Sequence, residues 1–118
     1  MNKGVETAGL IQESLDAPAI KEANGNIIKR ADVQGGGTLV VPRYLSLRQF
    51  DVITVHAVGI LIPIAVRVVR ESDENVDGIE IEIPEIYFSA NKIALYYVIT
   101  RLGGQQMLSA TADYEIID

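Results

Sequence analysis

A chain of 118 residues, 48% hydrophobic and 22% charged, has the size and balance of one folded domain rather than a disordered polymer. Its formal net charge is −6 and no Lys/Arg cluster offsets it, so a nucleic-acid backbone would be repelled, not steered in. Cysteine is absent, which removes disulfides, thiolate metal sites and cysteine nucleophiles.

Residues 1–16 read as a polar N-terminal tail. They carry one early lysine and then Glu6, Gln12, Glu13 and Asp16, which is not the basic-then-apolar layout of a secretory signal. From Ala17 onward short strand-like runs alternate with Gly, Pro and Asn. Residues 19–23 and 26–30 flank Asn24-Gly25, a pair suited to the positive φ angles of a tight hairpin. Residues 34–37 form a glycine link, and residues 38–43 a strand ended by Pro42, followed by a turn over 44–49.

Residues 51–58 alternate, with Ile53, Val55 and Ala57 on one face and Val52, Thr54 and His56 on the other. Residues 60–70 continue as a second strand-like run, and 73–78 as an acidic turn. Ile79, Ile81 and Ile83 then alternate with Glu80 and Glu82, which predicts a half-buried strand with its glutamates in water. Pro84 closes it and residues 85–90 make a helical turn. Ile93, Leu95, Tyr97 and Ile99 are the expected inward face of a strand over 92–102, and Gly103-Gly104 turns the chain back into 106–117.

About seven to eight strands with frequent turn signals and no long capped helix predict an all-β sandwich or barrel, one domain over residues 17–118. The longest weakly polar run, residues 52–66, is short for a membrane helix and contains His56, Gly59 and Pro63, so no membrane span is expected.

The segments LDAPAIKEANGNIIKRADVQGGGTLVVPRY (15–44), DVITVHAVG (51–59), IEIEIPEIYFSAN (79–91) and ALYYVITRLGG (94–104) together resemble a bacterial immunoglobulin-like repeat. That module is strung in tandem in large proteobacterial surface, adhesin-like proteins. The resemblance implies an immunoglobulin-like, two-sheet antiparallel β-sandwich, a structural, adhesive or binding role at the bacterial surface or in a secreted protein, and no shared catalytic residues. Two departures stand out. Ala57 occupies a position where a large aromatic is expected, and a polar loop is replaced by Ile60-Leu61-Ile62-Pro63-Ile64-Ala65-Val66.

Candidate chemistry is sparse. His56 is the only histidine, and Ser14, Ser46, Ser72, Ser89 and Ser109 lack a nucleophile-elbow signature, so no catalytic residue is assigned. Asp73, Asn75, Asp77 and Gly78 match the first half of a calcium loop, with oxygen ligands on alternate residues and then a glycine. Pro84 stands where the helical hand needs its bidentate carboxylate, which leaves a looser inter-strand calcium site set against a plain solvated turn. The run 60–69 reads as a strand greasy on both faces, with Pro63 marking an edge or bulge. Ile60, Leu61, Ile62, Pro63, Ile64 and Ala65 are therefore the candidate interface for a protein partner or for self-association, set against cover by the chain's own tail or loops.

Overall fold

Two-residue alternation of apolar side chains sets the architecture, because each strand so patterned has one face to hide. The computed structural model describes residues 14–118. Residues 1–13, most of the expected tail, lie outside the described residues. The strands are β1 (Ser14–Leu15), β2 (Ala19–Ile20), β3 (Ile27–Lys29), β4 (Gly37–Pro42), β5 (Val52–Ala57), β6 (Ala65–Val68), β7 (Gly78–Ile83), β8 (Lys92–Thr100), β9 (Gln106–Ser109) and β10 (Ala112–Ile117). Among the described residues the helical pieces are three 3-10 turns, Arg30–Val33, Glu71–Asn75 and Glu85–Phe88.

The smaller sheet is β2-β4-β7, antiparallel throughout. The larger has β8 at its centre, with β5 and then the edge strand β6 on one side. The other side of β8 is shared: β9 pairs with its C-terminal part and β10 with its N-terminal part. The outer positions are taken by β1, parallel to β9, and β3, parallel to β10. The protein is thus an all-β, two-sheet sandwich of the immunoglobulin type, antiparallel except at these two short strands.

The core lies between the sheets. Leu39 and Val41 of β4 and Ile79, Ile81 and Ile83 of β7 face Ile53 and Val55 of β5 and Leu95, Tyr97 and Ile99 of β8. Each such side chain contributes roughly 1.5–3 kcal/mol by leaving water. Ala57 does face inward, and bulk comes from elsewhere: Tyr97 and Phe88 are the largest fully buried side chains. Phe88 rises from the turn after β7 and fits over Gly37, where an added Cβ would sit 2.8 Å from its ring.

Four sequence expectations change. The Asn24-Gly25 turn forms, with Gly25 at φ 62 and reciprocal backbone hydrogen bonds between Asn24 and Ile27. Its arms do not pair as a hairpin; β2 joins β4 in one sheet and β3 joins β10 in the other, so the turn carries the chain across the sandwich. The run 106–117 is broken at Ala110, whose N–H donates to Leu15 O instead of continuing the ladder. Most consequentially, the run 60–69 is not one strand. Only Ala65–Val68 is strand, and residues 58–63 form a loop. Ser14 and Leu15, read as part of the tail, are paired to β9, and Leu15 is buried.

Candidate interaction surface

The loop between β5 and β6 is fixed at both ends. Val58 N–H donates to Ala94 O at 2.9 Å, the last bond of β5 to β8. Gly59, at φ 94, then lets the chain turn so that Ile60 N–H reaches Ala57 O at 3.0 Å. Pro63 has no N–H to continue a ladder, and Ile64 re-enters the sheet by donating to Val55 O at 2.8 Å. Ile64 and Ala57 are both buried and act as plugs. Between them Val58 is 63% exposed, Leu61 99% and Ile62 65%, with Ile60 and Pro63 exposed as well. Of the six residues read as an interface, Ile60, Leu61, Ile62 and Pro63 stand in water, Ala65 is half-buried in β6, and Ile64 belongs to the core. Residues 58–63 are thus six consecutive residues without a polar side chain, exposed on a loop pinned at both ends.

The strand that follows is an edge. β6 pairs with β5 alone, and its Val66 and Val68 point outward from the sandwich, both exposed. The neighbouring edge, β7, is closed by a clasp. Arg67, on the inward side of β6, donates from Nη1 to Glu80 O on β7 at 2.9 Å and from Nη2 to Asp73 Oδ1 at 2.7 Å. The guanidinium thus ties the two sheets together along one side.

That clasp also engages the acidic turn. Asp73 is buried; its second oxygen accepts from Arg70 N–H at 2.8 Å, so both carboxylate oxygens have protein partners. Asn75 and Asp77 are exposed, and Asp77 contributes its backbone carbonyl to Arg43 N–H. Among the described residues no group of three or more His, Asp or Glu side chains is gathered as a metal site would need.

A second polar cluster, which no short motif announces, lies beside the acidic turn, the two joined by Gln49 N–H to Glu74 Oε2 at 2.9 Å and Val69 N–H to Asp51 O at 2.8 Å. Asp51 is 1% exposed and forms an ion pair with Arg101, Oδ1 to Nε, at 3.4 Å. Tyr44 OH donates to Asp51 Oδ2 at 2.7 Å, Arg48 N–H at 3.2 Å, and Arg101 Nη2 also donates to Ser46 O. Burial first, and then the Asp51 hydrogen bond and charge, push the Tyr44 phenol well above its ordinary value, while Arg101 pulls the other way. The cluster moors residues 44–51 to the end of β8.

His56 lies on the outer face of β5, its ring stacked on Tyr96 at 5.1 Å and its Nε2 3.0 Å from Thr54 Oγ1. Ser109 accepts from Tyr97 N–H, and Ser89 donates to Ile86 O.

No protein-family model matches the chain, and no curated protein does. Among solved structures it is similar to a bacterial immunoglobulin-like domain from the M. primoryensis ice-binding adhesin, with 9% sequence identity and a TM-score of 0.52. The match covers 90% of this chain and 100% of that one. At that identity the likeness is one of fold: this chain shares the sandwich of a bacterial immunoglobulin-like domain.

Proposed function

We propose that the protein is a non-enzymatic immunoglobulin-like module of a bacterial surface or secreted protein, and that it works by contact, with loop 58–63 as its recognition element for a protein partner. The observation that carries this reading is the exposure of Val58, Leu61 and Ile62 between two buried anchors. A partner's apolar pocket would take these side chains as anchors, and the fixed loop ends keep the ordering cost of binding low. Lipid is the less suitable counterpart: with a net charge of −6 the chain is repelled by anionic headgroups. The layout also suits a module strung in line, since Ser14 lies beside the C-terminal part of β8 and Ile117 beyond its N-terminal end.

A photo-crosslinking residue at position 61, compared with one at position 82 on the opposite, glutamate-bearing sheet face, tests the reading in cells that express the protein. Defined protein adducts at 61 and none at 82 are expected. Absence of adducts at 61, or the same adducts from both positions, refutes the loop as a recognition element. Leu61→Asp serves as the matched variant, and its fold should be intact because the side chain packs against nothing.

A further inference from the structure

The loop 58–63 borders a cleft of about 340 Å³ at its end of the sandwich. Buried Ala57 meets the cleft from the core side, Val58 and Ile60 from the loop, Tyr87 from the turn 85–88 and Tyr114 from β10. These walls are fixed. Val58 N–H is bonded to Ala94 O, Tyr87 N–H donates to Pro84 O at 3.1 Å, and the Tyr114 hydroxyl accepts from Ile20 N–H at 3.0 Å. The charged residues on the cleft are Lys92 and Asp113, both exposed, and among the described residues neither is in an ion pair. Asp113 stands opposite Ala94 in the ladder, which makes Lys92 its diagonal neighbour, about 7–8 Å away. A second cleft, of about 370 Å³, lies on the other side of the same turn, but its arginine is already engaged: Arg30 donates to Phe88 O, Ala90 O and Asp118 Oδ1.

We infer that this cleft receives one aromatic side chain of the partner that the loop engages, with the peptide groups flanking that residue met by Asp113 and Lys92. The inference rests on the loop reading above and names the chemistry of the occupant. Size sets the first limit: ligand clefts span roughly 300–1,000 Å³, and one at the bottom of that range takes a single ring rather than a nucleotide or a cofactor. Lining sets the second. Between two tyrosine rings a planar ring gains from offset or edge-on contacts beyond the area it buries, whereas an aliphatic side chain gains the area alone. Charge sets the third. A residue inserted by its side chain leaves its own N–H and C=O at the mouth. A carboxylate accepts from the first and an ammonium donates to the second, and Asp113 and Lys92 supply one of each on adjoining strands. Because the walls are held before binding, little ordering cost falls on this side of the contact.

Titration of the full chain with N-acetyl-L-tryptophanamide, followed through the backbone NMR signals of Ala57, Tyr87 and Ala94, tests the inference. Saturable shifts centred on the cleft are expected, with half-saturation at about 1 mM. N-acetyl-L-leucinamide should bind at least about fivefold more weakly. Lys92→Ala and Asp113→Ala should each weaken the tryptophan probe by about threefold to tenfold and leave indole, which has no peptide group, as it was. Ala90→Phe, at an exposed position on the rim, should fill the cleft and abolish binding of both, with circular dichroism unchanged. The inference is overturned by the absence of saturable shifts up to about 20 mM, by equal binding of the leucine probe, by shifts that survive Ala90→Phe, or by loss of indole binding in the two alanine variants. Adducts at position 61 with a silent titration remove the cleft and leave the loop reading standing. Absence of adducts there removes the loop reading whatever the titration shows.

Discussion

Replacing Asp51 by Ala should be among the most damaging single changes in the protein. The carboxylate is 1% exposed, and its partner Arg101 has only 10% of its side chain in solvent. Removing the anion leaves a guanidinium buried without its counter-charge, while Tyr44 OH and Arg48 N–H lose their acceptor. Breaking one side of such a buried pair costs about 3–5 kcal/mol. For a domain of this length, with a shift of about 4 °C per kcal/mol, the melting temperature should fall by about 12–20 °C. Asp51→Asn keeps an oxygen for Tyr44 and Arg48 and should cost less. A cycle of Asp51→Asn, Arg101→Met and the double variant, followed by urea denaturation, should give a coupling energy of about 2 kcal/mol. If Asp51→Ala costs below about 1 kcal/mol, or the two single effects simply add, the cluster is not an energetic anchor of the 44–51 loop and the reasoning fails.

The raised Tyr44 phenol links stability to alkaline pH. Its folded-state value lies above the unfolded one of 10.0, so its contribution is complete below pH 10 and is lost as pH rises toward the folded value. Urea midpoints should therefore decline from pH 10 upward, and Tyr44→Phe should be weaker at neutral pH yet show a shallower alkaline decline; identical slopes would contradict the assignment. Calcium at millimolar concentration should leave the melting temperature unchanged, because both oxygens of Asp73 are held by Arg67 and the Arg70 N–H. A chelator-reversible rise of several degrees would show that the cation displaces the Arg67 clasp.

The parts of the fold legible in sequence are those where one strand face is wet. Ile79, Ile81 and Ile83 against Glu80 and Glu82, and the inward set Ile93, Leu95, Tyr97 and Ile99, follow the pleat without exception. The stretch 58–64 misleads for a physical reason. Ile, Leu and Val are strand formers by side-chain shape, and nothing in local propensity reports whether a second layer exists to cover them. Gly59 and Pro63 were the available signals, one for the turn and one for the missing donor. The Asn24-Gly25 turn shows the same limit, since its residues specify a backbone conformation and leave open which sheet each arm joins. Asp51 and Arg101 are separated by 50 positions, beyond the reach of any spacing argument.

Loop 58–63 is not a packing defect left by the missing aromatic at position 57. Were the core short of material there, Ile60 or Leu61 would be drawn inward to fill it, since each gains roughly 1.5–3 kcal/mol by burial. Instead Ile64 closes the layer from the β6 side, Tyr97 supplies the bulk from β8, and Phe88 occupies the space that Gly37 leaves free. The interior is therefore complete without these side chains. Their apolar character belongs to the surface, where a folded chain with no use for it would gain solubility from any polar substitution. Held at Val58 N–H and Ile64 N–H, the loop projects these side chains from an end of the sandwich, where they are free to serve as anchors for a partner's pocket.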